Sequence, residues 1–359
     1  MKSILLSIFM VSVMASCIPE QPGTPVTNTE TPQLPDTATP SLDWIQVYFT
    51  DPDAPHARDY IGGPDEELAA AITAARLSVD VAAYSLNLWS IRNALLDAKQ
   101  RGVEVRFVVE SDNLDGDEIQ DLVATGIPVL GDRREGLMHN KFIIIDRQEV
   151  WTGSLNFTVS GGYYDNNNLV RIRSSQVAET YLHEFNEMFM DDRFGTDSLA
   201  DTLYPFLTIE GVDVEFLFSP DDGVAGRLIE LIEAAQESIQ FMAFSFTSDE
   251  IGSAIVNAAM ARGMTVAGVM DEEQVDSNQG TEYDAFVQAG LDVRLDGSEG
   301  QMHHKVIIID HSIVITGSYN FTASAETQND ENLVIIFSPA IAALYLEEFQ
   351  RVYDQAQQP

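Results

Sequence analysis

Two short segments of the sequence carry side chains that could act together on a phosphate ester. Segments 138–146 and 302–310 each contain a histidine and, two positions later, a lysine. Residues i and i+2 of an extended strand point to the same face, so each segment would present an imidazole and an ammonium group side by side. The chain has only four lysines and six histidines, which makes this placement informative. The pairs are His139 with Lys141 and His303 with Lys305.

A second pattern, Gly-Ser-x-Asn, follows each pair and repeats the i, i+2 spacing, with Ser154 and Asn156 in the first segment and Ser318 and Asn320 in the second. A nucleophile or acid, a cation and hydrogen-bond donors are the groups that displacement at a phosphodiester requires. An aspartate also lies five positions after each lysine, where the apolar run ends. We count Asp146 and Asp310 with the catalytic motif, and expect them to support a strand end rather than to share the face of the imidazole.

The two segments belong to an internal repeat with a constant displacement of 164 positions. Met-His-Asn-Lys-Phe-Ile-Ile-Ile-Asp returns as Met-His-His-Lys-Val-Ile-Ile-Ile-Asp, and the match continues without a gap to Asn-Leu-Val at 168–170 and 332–334. Such self-similarity is typical of a duplicated structural unit. We predict tandem repeats at residues 43–208 and 209–359.

The elements that must position the motifs follow an α/β order. Near-continuous apolar runs predict strands that are buried on both faces, as in an α/β sandwich. We expect Ser90 and Asp249 to cap the second helix of each copy. The predicted helices are 66–75, 91–100, 177–188, 225–235, 251–261 and 341–353, and the predicted strands are 79–84, 103–109, 142–145, 239–246, 264–269 and 306–309.

His-x-Lys-x4-Asp followed by Gly-Ser-x-Asn-Phe-Thr, present twice, resembles the phospholipase D superfamily of phosphodiesterases. The resemblance covers about residues 43–357. It implies two α/β/α sandwich halves, related by a pseudo-twofold axis, that share one active site at their interface. It also implies that the chemistry needs no metal and no cofactor, and that a monomer suffices for a complete site.

The resemblance further implies a role for each residue. One histidine, by analogy His139, attacks phosphorus, and the other protonates the leaving alcohol and then activates water. Lys141, Lys305 and the asparagines of the second pattern would hold the nonbridging oxygens, together with Ser154 and Ser318. Glu331 stands where the family commonly has a supporting glutamate, whereas the first copy has Asn167. Because a carboxylate favours the protonated form of a nearby imidazole, we hypothesise that Glu331 makes His303 the general acid and leaves His139 as the nucleophile.

Composition narrows the range of functions. The formal net charge is −38, with 57 acidic and 19 basic residues, and nucleic-acid affinity normally rests on Lys and Arg. The acidic excess therefore disfavours a protein that coats DNA, but it leaves room for an enzyme with a locally basic active site. The single cysteine excludes an intramolecular disulfide and a cysteine-based zinc site.

The N-terminal residues predict export. Residues 1–16 have a basic start, an apolar run too short to span a membrane and small residues at the end, as in a secretory signal. Cys17 follows at once, and the segment resembles a bacterial lipobox, which implies a lipid on Cys17. Residues 17–42 are rich in Pro and Thr and predict a tether to the membrane. The expected location is the cell envelope, with an ordinary cleaved signal as the alternative.

Four functions compete at this stage. The leading hypothesis is a lipid-anchored phosphodiesterase that removes head groups from phospholipids. The first alternative is a nuclease of the same superfamily that prefers single strands. A phosphatidyl transferase and a non-enzymatic envelope binding module follow. The reason for the acidic excess and the oligomeric state stay open.

Overall fold

A computed structural model describes residues 42–357 of the chain. The predicted signal peptide at 1–16, the predicted lipidation site Cys17 and all but the last residue of the predicted tether lie outside the described residues. Within 42–357, no helix combines the length and the apolar character needed to cross a membrane.

The first half is built on a seven-stranded sheet in the order β1-β7-β6-β5-β2-β3-β4. Its strands are β1 (Ile45–Phe49), β2 (Ser78–Ala83), β3 (Glu104–Val109), β4 (Val129–Gly131), β5 (Lys141–Ile145), β6 (Glu149–Gly153) and β7 (Asn168–Arg173). Its helices are α1 (Pro64–Ala74), α2 (Trp89–Gln100), α3 (Asp117–Ala124), α4 (Val159–Tyr163) and α5 (Ser175–Asp191).

The second half repeats this sheet and adds one edge strand, in the order β12-β11-β10-β13-β14-β15-β9-β8. Its strands are β8 (Phe206–Ile209), β9 (Val212–Ser219), β10 (Ser238–Ala243), β11 (Thr265–Met270), β12 (Asp292–Leu295), β13 (Lys305–Ile309), β14 (Ile313–Gly317) and β15 (Glu331–Phe337). Its helices are α6 (Val224–Ala234), α7 (Asp249–Arg262), α8 (Glu272–Ser277), α9 (Tyr283–Gln288), α10 (Ala323–Thr327) and α11 (Pro339–Gln355).

The motif strands β5 and β13 lie near the middle of their sheets, and all five residues of each are buried. Helices cover both faces of each sheet, which confirms the expectation drawn from the apolar runs. A central apolar cluster between the two sheets contains Tyr181 of α5 and Tyr345 of α11, and two further clusters cover the outer faces. The α/β class and the two α/β/α sandwich halves are therefore confirmed.

The two halves contact each other through reciprocal bridges. Met138 pairs with Asp330, and Asn166 pairs with Met302. Each bridge is the other displaced by the repeat distance, as a twofold relation requires. Both bridges lie directly beside a motif histidine, so the interface passes through the predicted site.

Three local predictions are wrong. Ser248 caps α7 through its side chain, whereas Asp249 is the first helical residue. Ser90 lies inside α2, after Leu88 at the cap position, and donates to Asp65 instead. The predicted boundary at 208/209 falls inside β8, which pairs with β9, so the second sheet begins at Phe206.

Candidate active site

Each motif histidine lies just before a buried strand whose first residue is the motif lysine. The Nζ of Lys141 donates to the carbonyl of His139 at 2.7 Å, and the Nζ of Lys305 donates to the carbonyl of His303 at 2.8 Å. All four residues are at least nine-tenths buried. The buried strand therefore holds the lysine in place, and the ammonium group is bonded to the backbone of its own histidine.

The interface brings the two pairs into one site. The backbone N–H of His139 donates to the carbonyl of Asp330 at 3.0 Å, and that of His303 donates to the carbonyl of Asn166 at 2.9 Å. Electrostatic interaction links His303 with both His139 and Lys141 across the interface. The predicted gathering of the two motifs at the interface is present in the structure.

Glu331 corrects the hypothesis drawn from the sequence. Its Oε2 lies 2.7 Å from Nδ1 of His139, in the opposite half, and does not pair with His303. Asn167 of the first half likewise crosses the interface, and its Oδ1 lies 2.8 Å from Nδ1 of His303. The expected contact of Glu331 with His303 is wrong because β7 and β15 each begin at the interface. Asn167, just before β7, and Glu331, the first residue of β15, both reach the partner half.

The amide of Asn167 has a fixed orientation. Its Nδ2 donates to the carbonyl of Gly161 at 3.0 Å, so Oδ1 faces the imidazole. The hydroxyl of Ser154 donates to the same Oδ1 at 2.8 Å. Asn167 Oδ1 therefore accepts from Nδ1–H of His303, and the second ring nitrogen of His303 is left for substrate.

An aromatic ring lies against each histidine, and sequence reasoning gave neither ring a role. The ring centroids of Tyr84 and His139 are 5.2 Å apart, and those of Phe244 and His303 are 4.6 Å apart. The lysine ammonium groups lie 5.4 Å from the ring centre of Tyr84 and 4.7 Å from that of Phe244, within cation–π range. The repeated triplets Ala-Tyr-Ser and Ala-Phe-Ser at 83–85 and 243–245 were the available signal.

Burial dominates the electrostatics of the site. It lowers the pKa of His139 to about 4, against the opposing effect of Glu331, and lowers the pKa of Lys141 to about 7. The pKa values of His303 and Lys305 fall well below their ordinary range, first through burial and then through neighbouring cations. A bound phosphodiester anion would favour the protonated form of each of these bases.

The serines and the asparagines of the two Gly-Ser-x-Asn segments differ in burial and in hydrogen bonding. Ser154 and Ser318 are fully buried, and their hydroxyls accept from the backbone N–H of Asn168 and Asn332, respectively. Ser154 also uses its O–H inside the protein, on Asn167. Ser154 therefore holds the start of β7 and the amide that faces His303, whereas phosphate binding by Ser318 stays a prediction.

Asn156 and Asn320 are only partly buried. Their Oδ1 atoms are enclosed and have no hydrogen-bond partner among residues 42–357. A phosphate oxygen only accepts, so the Nδ2 donors of these two amides, and not Oδ1, are the groups that could bond to a substrate oxygen.

Asp146 and Asp310 lie away from the histidines, at the far ends of β5 and β13. The carboxylate of Asp146 accepts from the backbone N–H groups of residues 76–78, and that of Asp310 from residues 236–238. Both have positive φ, at 54° and 50°, in a tight turn that aspartate tolerates. Their assignment to the catalytic group is wrong, whereas the expected support of a strand end is what these contacts provide.

His304 faces away from the site, as its position next to His303 predicts. Its Nε2 lies 3.0 Å from Oε1 of Glu348, and its Nδ1 lies 3.1 Å from the amide nitrogen of Asn168. It is therefore a bonded residue of the interior. In the described part of the chain, no three carboxylate, imidazole or thiolate groups are gathered as ligands of a metal.

Comparison with known proteins agrees with the family resemblance of the two motifs. A family described as cardiolipin synthase, PLD-like domain, matches residues 68–189 and 228–353, one match in each half. A phospholipase D of Rickettsia prowazekii strain Madrid E is 33% identical over 173 residues, which are 48% of this chain and 82% of the relative. A human mitochondrial cardiolipin hydrolase is 36% identical over 134 residues, 37% of this chain and 52% of the relative.

The fold is also found in solved structures. A phosphatidylserine synthase of Haemophilus influenzae Rd KW20 has a TM-score of 0.66 at 11% identity, over 89% of this chain and 88% of that one. At this identity the similarity concerns the fold alone. It extends over both halves, whereas each of the two curated relatives matches about half of this chain or less.

Proposed function

The chain belongs to the phospholipase D-like family of phosphodiesterases, and we propose that it removes head groups from phospholipids, without a metal, through a phosphohistidine at His139. The observation that carries this proposal is the pair of imidazoles in one interface site with different partners. His139 has a carboxylate at Nδ1, and His303 has an amide oxygen at the same atom.

The carboxylate of Glu331 suits His139 to nucleophilic attack. It accepts Nδ1–H, which leaves the lone pair of Nε2 directed at substrate. When Nε2 bonds to phosphorus the ring becomes cationic, and the adjacent carboxylate stabilises that charge. The choice of nucleophile made from the sequence is thus kept in the proposal, with a different physical reason.

His303 supplies the proton. A bound phosphodiester anion favours its cationic form, which carries a proton on Nε2 while Nδ1–H stays bonded to Asn167. In the first step the phosphorus–oxygen bond to the head group breaks, and its oxygen takes that proton. In the second step His303 accepts a proton from water, water oxygen bonds to phosphorus, and the bond from phosphorus to His139 breaks.

Lys141 and Lys305, with Asn156 and Asn320, would hold the nonbridging oxygens. Both lysines are buried within the same interface, where a low dielectric strengthens their interaction with phosphate. Charge on these oxygens grows during displacement, so fixed cations and amide donors favour the transition state over the bound substrate.

The surroundings of the second motif favour a lipid head group over a nucleic acid. A cavity of about 740 Å³ is lined by Tyr164 and by carboxylates. Two of its carboxylates, Asp165 and Asp271, accept from the backbone N–H groups of Gln301 and Met302, immediately before His303. Such a wall repels a polyanion and attracts an amine-bearing alcohol. The carboxylates are Asp165, Asp271, Glu272, Glu273, Asp276, Asp296 and Glu299.

The location in the cell envelope and a lipid anchor at Cys17 complete the proposal. The signal-like segment and the proline-rich tether support them. Since both motifs belong to one chain, a monomer would hold a complete site.

Choline release from phosphatidylcholine vesicles, measured with the purified chain in EDTA, tests the proposal. A variant carrying both His139→Ala and His303→Ala is the control. We expect release that the double variant abolishes. No release from vesicles, combined with cleavage of single-stranded DNA that falls steeply with added salt, would establish the nuclease instead.

A further inference from the structure

A buried carboxylate in the second half is neutralised by two neighbours. Glu348 of α11 is only 5% exposed, and its oxygens lie 3.0 Å from Nε2 of His304 and 2.6 Å from Nη2 of Arg351. The guanidinium of Arg351 also donates to Oδ1 of Asn166 at 2.7 Å and lies 4.0 Å from the carboxylate of Asp51. A cation thus fills the space between α11, the loop after β1 and the interface.

The first half has the same arrangement without the cation. With the displacement of 164 positions, Glu184 corresponds to Glu348, while Asn140 replaces the histidine and Glu187 replaces the arginine. Glu187 turns its carboxylate to the backbone N–H of Leu199, at 2.7 Å. The glutamate of α5 therefore keeps its buried position and loses both of the neighbours that neutralise its counterpart.

Two carboxylates are left without partners as a result. Glu184 is 5% exposed and makes no hydrogen bond or ion pair with any residue of 42–357. Asp221, in the loop that corresponds to the one after β1, has both carboxylate oxygens enclosed and unbonded within the same described range. Burial and the surrounding carboxylates, Asp222 and Asp330 among them, raise the pKa of Glu184 well above its usual value. Burial also raises the pKa of Asp221 to about 7.

We propose that Glu184 and Asp221 bind a calcium ion at the place that corresponds to the guanidinium of Arg351 in the other half. The second half shows that a positive charge is accommodated at this position of the fold. Carboxylate oxygens on a helix and a neighbouring loop suit Ca²⁺, which accepts irregular oxygen coordination. No cluster of three ligating side chains is gathered in residues 42–357, so the two carboxylates would be the side-chain ligands, and water or backbone carbonyls would have to supply the remaining oxygens.

The ion has a structural role and takes no part in phosphoryl transfer. Asp330, whose charge acts on Glu184, bonds through its side chain to the backbone N–H of Gly195 at 2.6 Å and through its carbonyl to His139. A cation at Glu184 would relieve repulsion among these carboxylates and stabilise the folded chain by mass action. Head-group release in EDTA can therefore persist while thermal stability falls.

Thermal unfolding of the purified chain tests the site. We compare EDTA, CaCl2 and MgCl2, each at the same ionic strength set with NaCl, because salt alone screens the repulsion within a chain of net charge −38. Saturating Ca²⁺ should raise the unfolding midpoint by at least about 3 °C over the NaCl control. Equilibrium dialysis should find one ion per chain.

Four variants locate the effect. Glu184→Gln and Asp221→Asn should each remove the response to Ca²⁺. Glu187→Arg, which supplies the arginine of the second half, should raise the midpoint in EDTA and abolish the response. Glu348→Gln is the matched control in the other half, and should lower the midpoint with the response to Ca²⁺ unchanged.

Absence of any Ca²⁺ shift beyond the NaCl control would overturn the proposal. A shift that persists in both Asp221→Asn and Glu187→Arg would also overturn it, by placing the ion elsewhere. If Glu184→Gln fails to fold, these two variants still decide between the outcomes. The assay for head-group release is independent of all of them.

Discussion

The two motif histidines occupy equivalent positions in the two halves, and their neighbours are not equivalent. Each takes its backbone contact from the opposite half, and these contacts obey the twofold relation. At Nδ1 the relation fails, because His139 meets a carboxylate and His303 meets an amide. The two halves therefore share their backbone contacts at the interface and differ in the group that faces each imidazole.

Replacement of the histidines should have the largest effect and would separate their roles. His139→Ala and His303→Ala should each lower kcat for a phospholipid by about 10⁴-fold. With a p-nitrophenyl phosphodiester, whose leaving group needs no proton, only His303→Ala should still release a burst of nitrophenol and accumulate an acid-labile phosphoenzyme. An adduct in His139→Ala and none in His303→Ala would reverse the assignment.

Replacement of Glu331 and Asn167, the residues that face the two imidazoles, should have the next largest effect. Glu331→Gln should lower kcat by roughly 10²- to 10⁴-fold, because the cationic intermediate loses its carboxylate. Asn167→Asp should change kcat less, since His303 only gains a carboxylate that favours its protonated form. Steady-state kinetics of both variants, with circular dichroism as a check on folding, would show whether the asymmetry matters. Equal losses would count against it.

The pH dependence of kcat/KM should reflect the free enzyme, in which His139 must be neutral to attack. Since burial lowers the pKa of His139 to about 4, kcat/KM should fall about tenfold per pH unit only below about pH 4. His303 must be protonated to act as the acid, and its pKa lies well below the ordinary value, so kcat/KM should already decline with rising pH below neutrality. Above about pH 7, where Lys141 also loses its proton, the decline should become steeper. In Glu331→Gln the acid limb should move to lower pH, because Glu331 raises the pKa of His139. An unmoved acid limb would argue against this pairing.

Replacement of Asp146 or Asp310 should have the smallest effect on activity. These two aspartates make equivalent contacts, so the two halves should respond alike. Asp146→Ala and Asp310→Ala should each lower the free energy of unfolding by about 2 kcal/mol, because backbone N–H groups lose their acceptor. Asn at either position tolerates positive φ and keeps one acceptor, so the loss should be smaller. Urea unfolding measures both, and kcat should stay within about twofold of the parent. A large loss of kcat with intact stability would return the aspartates to the catalytic group.

The repeat and its motif strands could be predicted from sequence because their signals are local. Apolar runs at 142–145 and 306–309 predict buried strands, and the i, i+2 rule places His139 and Lys141 together. The constant displacement then predicts a second sheet like the first. Each of these inferences needs only neighbours along the chain or a count of positions.

The helix caps and the boundary at 208/209 were local errors, but the errors at the site concern contacts between distant positions. A repeat shows that Glu331 and Asn167 are equivalent, but it does not show which imidazole each side chain meets. That depends on which half the side chains at the start of β7 and β15 face. Glu184 and Glu187 were equally hidden, because glutamates on a helix look like solvent-exposed residues until burial and missing partners are known.

The crossed contacts of the histidines also bear on how the chain is made. His139 takes its carboxylate from a residue that is added 192 positions later. A growing chain that has folded only its first half therefore carries the nucleophile without the group that orients it and stabilises its cation. The site at the interface therefore has all of its described groups only after β15 has been added to the chain.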